Sequence, residues 1–457
     1  MDRKSIRLIF LSDPDLKFVL SGILFGIFSY FVGGFNGLLI FLFVAIFFLS
    51  FLRIEVALLS LPLFVLLDFF IKNYTFGFFG LWDEAIFLFL LLIILYRMQK
   101  EKRFTFKFTN LIYPVLAFLI AGLLSICFSK DVNLAQGIEG IRSVIQSFIF
   151  FLVVVNAKIS KRASRFLLFV GIFACAISAL FGIYQYIAGV AVPPNWLDKD
   201  TEVGLGTRAF SFLGSPNAFA GYSVLFAPIC LGFAFKKKFN LSQKALVMLF
   251  FFTIIGGLTS TLTRAAWLAF IPSLVLFGIL IKQTKIILPV VLVLIAVVFS
   301  VAPMRQRFVN LFSEQYQTKS EIGGRNYRWN LALSIFEENP IFGRGPGSYG
   351  GATAYRFQEF SGLYVDNYYF EILSNYGFVG FLVFLWLIFE IIRTIIISIN
   401  RALDDDKYIL YGILCGMLGF LINNFTENLW EVIPLSVSMW FVLGIAVNLS
   451  SGGDGNG

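Results

Sequence analysis

The stretch "FLLFVGIFACAISALFGIYQYI" (166–187) carries no charged side chain. An uncharged apolar run of about 20 residues is long enough to cross a bilayer as a helix. Similar runs recur along the chain, and none shows the alternating segments of a membrane β-barrel. We therefore expect an all-α polytopic membrane protein with twelve to fourteen spans, at about 17–35, 37–52, 55–71, 80–97, 110–128, 136–156, 164–187, 216–235, 244–259, 262–281, 285–303, 377–398, 408–424 and 432–449.

The composition supports this class. Of the 457 residues, 58% are hydrophobic and only 14% are charged, and 58 are phenylalanine. The four cysteines lie in apolar runs without metal-ligand spacing, which indicates small hydrophobes that face the lipid or the core. The net charge of +9 does not indicate nucleic acid, because cytoplasmic loops of membrane proteins normally carry such an excess.

Basic clusters set the expected orientation. With the N-terminus in the cytoplasm, "YRMQKEKRFTFKF" (96–108), "KISKRASR" (158–165) and "FKKKFN" (235–240) all fall inside. The polar start shows no cleavable signal, and no internal repeat of a transporter is evident. The expected divisions are a cytoplasmic N-terminus (1–16), spans 1–11 (17–303), a large extracytoplasmic loop (304–376), spans 12–14 (377–449) and a flexible cytoplasmic tail (450–457).

Four arginines fall on the outer side of this topology: Arg208, Arg264, Arg325 and Arg328. Guanidinium groups are always charged and hold phosphate oxygens through two donors, so converging arginines would suit a pyrophosphate. Arg264 opens a span, where the alternative is an arginine that reaches to the interface for solvation.

Other outer segments favour structural roles. Asn217 follows Ser215-Pro216, a pattern typical of a capped helix start. The stretch "PIFGRGPGSYGG" (340–351) lacks the ending of a phosphate-binding loop and predicts tight turns, and "NYRWNLALSIFEEN" (326–339) has helical apolar spacing. Glu139 and Arg142 are spaced for a local ion pair. The Asp-x-Asp match at 198–200 is a weak signal for a metal, and we expect none.

Asp366 precedes a helix predicted from about residue 367. One interpretation is that Asp366 caps this helix. The other is a general base that takes a proton from an acceptor hydroxyl, which requires desolvation or late deprotonation because a free aspartate is a weak base at neutral pH. Glu427 is a second acid on the outer face, beside an apolar span.

Four stretches together carry a family resemblance: "TRAFSFLGSPNAFAGY" (207–222), "STLTRAAW" (260–267), "GGRNYRWNLALSIFEENPIFGRGPGSY" (323–349) and "VDNYYFEILSNYGFVGF" (365–381). In order, spacing and shared outer location they resemble the bacterial O-antigen ligase and O-antigen polymerase superfamily. These polytopic glycosyltransferases of the GT-C type act at the outer face of the bacterial cytoplasmic membrane.

The resemblance implies a donor glycan on undecaprenyl pyrophosphate and transfer without a metal or other cofactor. It implies that Arg208, Arg264 and Arg325 bind the pyrophosphate, with Asp366 and Arg264 as catalytic residues. We expect Asn217, Asn367 and Glu427 to complete the binding site. The implied partners are the lipid-linked donor, a lipid-linked glycan or lipid acceptor and the bilayer, with a chain-length regulator as a further candidate and no nucleic acid.

One position departs from the ligase pattern. Ligases typically have His-Asn where this chain has Asp366-Asn367, and the chain contains no histidine. Polymerase-like members with Asp-Asn resemble it more closely. The first hypothesis is therefore a polymerase that joins lipid-linked repeat units with inversion. The runner-up is a ligase that transfers glycan to lipid A–core or another acceptor, and a flippase for lipid-linked glycans represents a different class.

Overall fold

The computed structural model describes residues 49–74, 82–100, 102, 106–192, 207–300, 302–310 and 312–450. Within these ranges the regular elements are helices, and the only β contact is an isolated bridge between Gly350 and Tyr364. The predicted all-α class is confirmed. The expected span 17–35, most of 37–52 and the Asp-x-Asp match at 198–200 lie outside the described residues.

The helices are numbered in chain order. They are α1 (Ile54–Leu58), α2 (Phe64–Tyr74), α3 (Trp82–Lys100), α4 (Ile112–Phe128), α5 (Leu134–Ile145), α6 (Phe148–Asn156), α7 (Lys161–Ile187), α8 (Pro216–Ala234), α9 (Leu241–Ser260), α10 (Arg264–Leu280), α11 (Thr284–Ser300), α12 (Ala302–Asn310), α13 (Glu314–Ile322), α14 (Arg325–Glu338), α15 (Ala352–Arg356), α16 (Tyr368–Arg401), α17 (Asp404–Asn423) and α18 (Ile433–Ser450). Short 3-10 turns occupy Ser211–Leu213 and Glu359–Gly362.

Five of the described helices are long and apolar enough to cross a membrane: α7, α8, α9, α16 and α18. A sixth span is possible where α5 and α6 follow each other with a bend of 44°. This bend divides the span expected at 136–156, and the one expected at 55–71 is likewise divided into α1 and α2. The polytopic membrane class is confirmed, whereas the total of twelve to fourteen spans and the expected divisions remain predictions.

Helix α8 lies at the centre of the bundle, because nearly all of its residues are buried. It packs closely against α17 through glycines on both helices. A Cβ at Gly232, Gly412 or Gly416 would lie less than 3 Å from the backbone of the opposing helix. Small residues allow such close backbone approach, which is a common source of helix association in membranes.

The glycine-rich segment 340–351 forms the predicted turns, with positive φ at Gly343, Gly345, Gly347 and Gly350. It packs into a break in α16, where Gly377 has φ 63° and ψ −165°. The Phe378 N–H donates to the Pro340 carbonyl at 2.8 Å, and the Gly345 N–H donates to the Asn375 carbonyl at 3.0 Å. Because the segment satisfies the backbone groups freed by the break, it fixes the direction of the first turns of α16.

We predict that Gly377→Ala is strongly destabilising. An alanine Cβ would lie less than 3 Å from the backbone of Gly343 and Ile341, and positive φ adds strain, so we expect a loss of about 2–4 kcal/mol. Gly189→Ala is the matched control, since Gly189 has φ +65° with nothing within 4 Å of its Cβ position and should lose only about 1 kcal/mol. Thermal unfolding in detergent measures both, and equal shifts would contradict the steric account.

Candidate active site

Asp366 lies between two arginines of α14. Its Oδ2 is 2.9 Å from Arg328 Nη1 and 3.6 Å from Arg325 Nε. The two arginines are one helical turn apart and therefore share a face of α14. Arg328 Nη1 also donates to the Tyr364 carbonyl at 2.7 Å, which fixes the guanidinium beside the carboxylate.

The helix cap is Asn367, so the interpretation that Asp366 caps α16 is wrong. Asn367 Oδ1 accepts the N–H groups of Tyr369 and Phe370 at 3.1 and 3.2 Å. Asp366 adopts a left-handed backbone conformation with φ 50° just before the cap. This geometry turns its carboxylate to the α14 arginines, with 24% of the side chain exposed. A binding role for Asn367 remains a prediction.

Arg325 connects Asp366 to Glu427. Its Nη2 lies 2.8 Å from Glu427 Oε1 and donates to the Thr426 carbonyl at 3.1 Å. Glu427 is buried, and this burial raises the pKa of its carboxyl from 4.5 to about 7. The charges of Arg325 and Arg208 and a hydrogen bond with the Asn217 side chain act in the opposite direction, to lower that pKa.

Arg208 and Asn217 form the next part of the cluster. The buried Arg208 donates from Nη2 to Asn217 Oδ1 at 2.8 Å and from Nε to the Thr261 carbonyl at 3.1 Å. The Thr263 hydroxyl donates to the same Asn217 oxygen at 3.2 Å. The helix start predicted at Ser215-Pro216 is confirmed, since Ser215 Oγ accepts the Ala218 N–H. Asn217 additionally joins Arg208 to the end of the α9–α10 turn.

Arg264 is the first residue of α10 and follows Thr263 directly. Its Nη1 donates to the carbonyl of Arg307 on α12. Arg307 is buried and in turn donates from Nη1 to the Leu262 carbonyl at 3.1 Å. Arg264 is therefore tied to protein groups at the end of the α9–α10 turn. Sequence reasoning missed Arg307, and its only signal was the short basic stretch "MRQRF" after a span.

A continuous series of contacts thus runs from Arg264 through Thr263, Asn217, Glu427 and Arg325 to Asp366. It joins segments far apart in sequence at one end of the bundle, which we call the polar end. The contact series and its direct neighbours contain five arginines, namely Arg208, Arg264, Arg307, Arg325 and Arg328, and the two acids Asp366 and Glu427. The excess of fixed positive charge is suited to an anionic ligand.

Among the described side chains, no group of three or more histidines, cysteines or acids could hold a metal ion. The predicted local pair of Glu139 and Arg142 is wrong, because each residue pairs across helices. Arg142 contacts Glu84, and Glu139 lies 2.6 Å from Arg356.

Residues 249–385 match the family model described as O-antigen ligase. The resemblance to the O-antigen ligase and polymerase superfamily is confirmed. The matched region contains Arg264, Arg307, Arg325, Arg328, Asp366 and Asn367, whereas Arg208, Asn217 and Glu427 lie on either side of it. A comparison with curated proteins returned no match. The match supports ligase- or polymerase-type activity in an integral membrane protein, with lipid-linked glycans as the substrate class.

We predict that Glu427→Gln removes a pH dependence of stability. Since the folded state favours the protonated acid, Glu427 stabilises the fold below pH 4.5, and this contribution is lost as pH rises through about 7. The melting temperature of the wild type should therefore fall relative to that of Glu427→Gln over this window. Glu338→Gln, which changes an exposed acid, should follow the wild type, and parallel profiles for all three proteins would contradict the assignment.

Proposed function

We propose that the protein polymerises glycan repeat units carried on undecaprenyl pyrophosphate and that the polar end is its active site. The observation that carries the proposal is the contact series that brings the arginines and Asp366 together at one end of a membrane bundle. Such an arrangement suits a donor with an anionic pyrophosphate and a lipid tail. We place this end on the extracytoplasmic side of the bacterial inner membrane, consistent with the basic clusters expected inside.

In the proposed reaction, an acceptor hydroxyl oxygen attacks the anomeric carbon of the donor sugar. The bond from that carbon to the pyrophosphate oxygen breaks, and its electron pair leaves with the lipid pyrophosphate. Arg208 and Arg264 stabilise the growing negative charge, which is most effective where donors are held in place before reaction. The hydroxyl proton passes to Asp366, and direct displacement inverts the anomeric centre.

The surroundings of Asp366 hold its carboxylate in place for an acceptor hydroxyl, and because the two ion pairs favour the charged carboxylate, the proton reaches it late in the reaction. Arg325 and Arg328 fix the carboxylate through ion pairs, and Asn367 performs the capping that would otherwise occupy it. Because Asp366 is partly exposed, an acceptor can approach its carboxylate. Arg325 also contacts Glu427, so both acids belong to one electrostatic unit beside the pyrophosphate arginines.

A ligase is the second candidate, favoured by the description of the matched family. A polymerase leaves longer glycans on undecaprenyl pyrophosphate, whereas a ligase moves glycan to a new anchor. A flippase should instead line a path across the membrane with polar groups. The contact series of the cluster lies at one end of the bundle and the helices between its two ends are mostly apolar, which favours a surface reaction over transport.

We predict that Asp366→Asn lowers transfer by about 10²- to 10⁴-fold, because general-base catalysis contributes that much. The assay follows elongation of lipid-linked repeat units by purified protein in lipid vesicles. Asp131→Asn is the matched control, since Asp131 is an exposed acid that lies 3.4 Å from Arg344 and outside the cluster. Full activity in Asp366→Asn would remove the proton-acceptor assignment.

An apolar groove supports a lipid-linked donor. It has a volume of about 480 Å³ and lies between α7, α9 and α11, with Ile183, Phe252 and Val293 among its lining residues. One end of the groove includes Ser260, whose carbonyl accepts the Ala209 N–H at 2.9 Å. Since Ala209 follows Arg208, the groove adjoins the arginine cluster, and we place the first isoprene units of the donor in it.

We predict that Val293→Trp, which fills the groove, raises the KM for the lipid donor. Overpacking costs about 1–3 kcal/mol, which corresponds to roughly a 5- to 150-fold change. Leu292→Trp is the control, because Leu292 is equally exposed on the same helix, at 59% against 60%, but does not line the groove. Equal kinetics for the two variants would exclude the groove as the lipid site.

A further inference from the structure

A second acidic pair lies behind Asp366. It consists of Glu371, in the first turn of α16, and Glu431, in the turn between α17 and α18, both buried. One carboxylate oxygen of each lies less than 3 Å from the position that a Cβ on Gly351 would occupy. The two carboxyl groups are therefore close neighbours, with Gly351 packed against both.

Each member of the pair is held by neutral hydrogen-bond donors. The Ala352 N–H donates to both Glu431 oxygens, at 3.0 and 2.9 Å. Asn428 Nδ2 donates to Glu371 Oε2 and to the Gly350 carbonyl, the latter at 3.2 Å. The titratable side chains near enough to interact with the charge of the pair are Tyr364, Tyr368 and Tyr376, and the Tyr376 hydroxyl donates to the Gly140 carbonyl at 2.9 Å.

No lysine or arginine in the described part of the chain forms an ion pair with either acid. Two buried carboxylates without a counter-ion repel each other strongly, so one of them must hold a proton. Burial raises the pKa of Glu431 to about 8. The pair therefore retains a proton at neutral pH, and a carboxylic acid can then donate a hydrogen bond to its neighbouring carboxylate.

The pair lies where the supports of the polar end meet. The turn that contains Glu431 also carries Glu427, four residues earlier. On the other side, the Gly350 carbonyl accepts the Val365 N–H at 2.9 Å, immediately before Asp366. If these two segments moved apart, Glu427 and Asp366 would separate, and Arg325 could no longer contact both.

We propose that Glu371 and Glu431 are positioning residues that share one proton and thereby hold the turn bearing Glu427 against the segment that precedes Asp366. The expected effect of the pair on glycan transfer rests on the proposed function, whereas its expected effect on thermal stability does not. Loss of the shared proton at alkaline pH leaves two adjacent negative charges, which drives the segments apart. Glycan transfer then declines as the folded pair loses its proton, and thermal stability declines as pH rises towards that point.

The test uses Glu371→Gln and Glu431→Gln singly in the full-length protein. Either change leaves a single titrating acid beside a neutral amide that can still donate a hydrogen bond. In the wild type, stability from the shared proton is fully present below pH 4.5 and is lost as pH rises through about 8, so its melting temperature falls between about pH 5 and pH 8 and levels off above that. We expect each glutamine variant to show a smaller fall, because the remaining acid is still buried but no longer faces a second negative charge.

Activity provides a second readout. A group with a pKa near 8 keeps roughly one tenth of its protons at pH 9, so the ratio of transfer at pH 9 to transfer at pH 7 should rise about tenfold in each variant. Glu338→Gln, with its exposed acid, should retain the wild-type profile. Because the two variants are made separately, the test still stands if one of them folds poorly.

Melting profiles identical to that of the wild type in both glutamine variants would overturn the shared proton. A melting temperature that depends on added Ca²⁺ or Mg²⁺ and loses this dependence in the variants would also overturn it, because the pair would then bind a cation. A third outcome separates the two proposals. If the melting profiles change as expected but neither the wild type nor any variant transfers glycan under any condition, the proposed function fails while the proton-sharing pair stands.

Discussion

The bridge that Arg325 makes between Glu427 and Asp366 is the contact on which the polar end depends. One guanidinium joins the first turn of α14, the turn before α18 and the residue before the α16 cap. Buried charges add little net stability, but removing one partner leaves the others uncompensated, so such a network specifies one arrangement of its segments. The same bridge places an acid with a raised pKa, Glu427, next to Asp366 and within the field of Arg208.

Much of this arrangement was predictable from the sequence, because the signals are local or depend on hydropathy. Apolar runs predicted α7, α8 and α9 to within a few residues, and Ser215-Pro216 predicted the capped start of α8. The same topology placed the arginines and Asp366 on one side of the membrane, although the membrane side itself stays a prediction. Positive φ at glycines of 340–351 follows from the tight turns that their density indicates.

Other features depend on tertiary contacts that a linear pattern does not contain. Helical spacing predicted a pair between Glu139 and Arg142, but each of them pairs with a residue of a neighbouring helix instead. Both Asp366 and Asn367 are good capping residues, and only the left-handed conformation of Asp366 makes Asn367 the cap. The acidic pair of Glu371 and Glu431 was invisible in sequence, because a Gly351 that packs against both acids brings them together.

The most direct test of the account is a cryo-EM structure of the protein in lipid nanodiscs with a short-chain polyprenyl pyrophosphate. The account predicts density for the pyrophosphate within hydrogen-bonding distance of Arg208 and Arg264, at the same end of the bundle as Asp366, with the lipid chain along the groove that Val293 lines. Pyrophosphate bound instead at the opposite end of the bundle, beside Arg165 and Lys236, would contradict it.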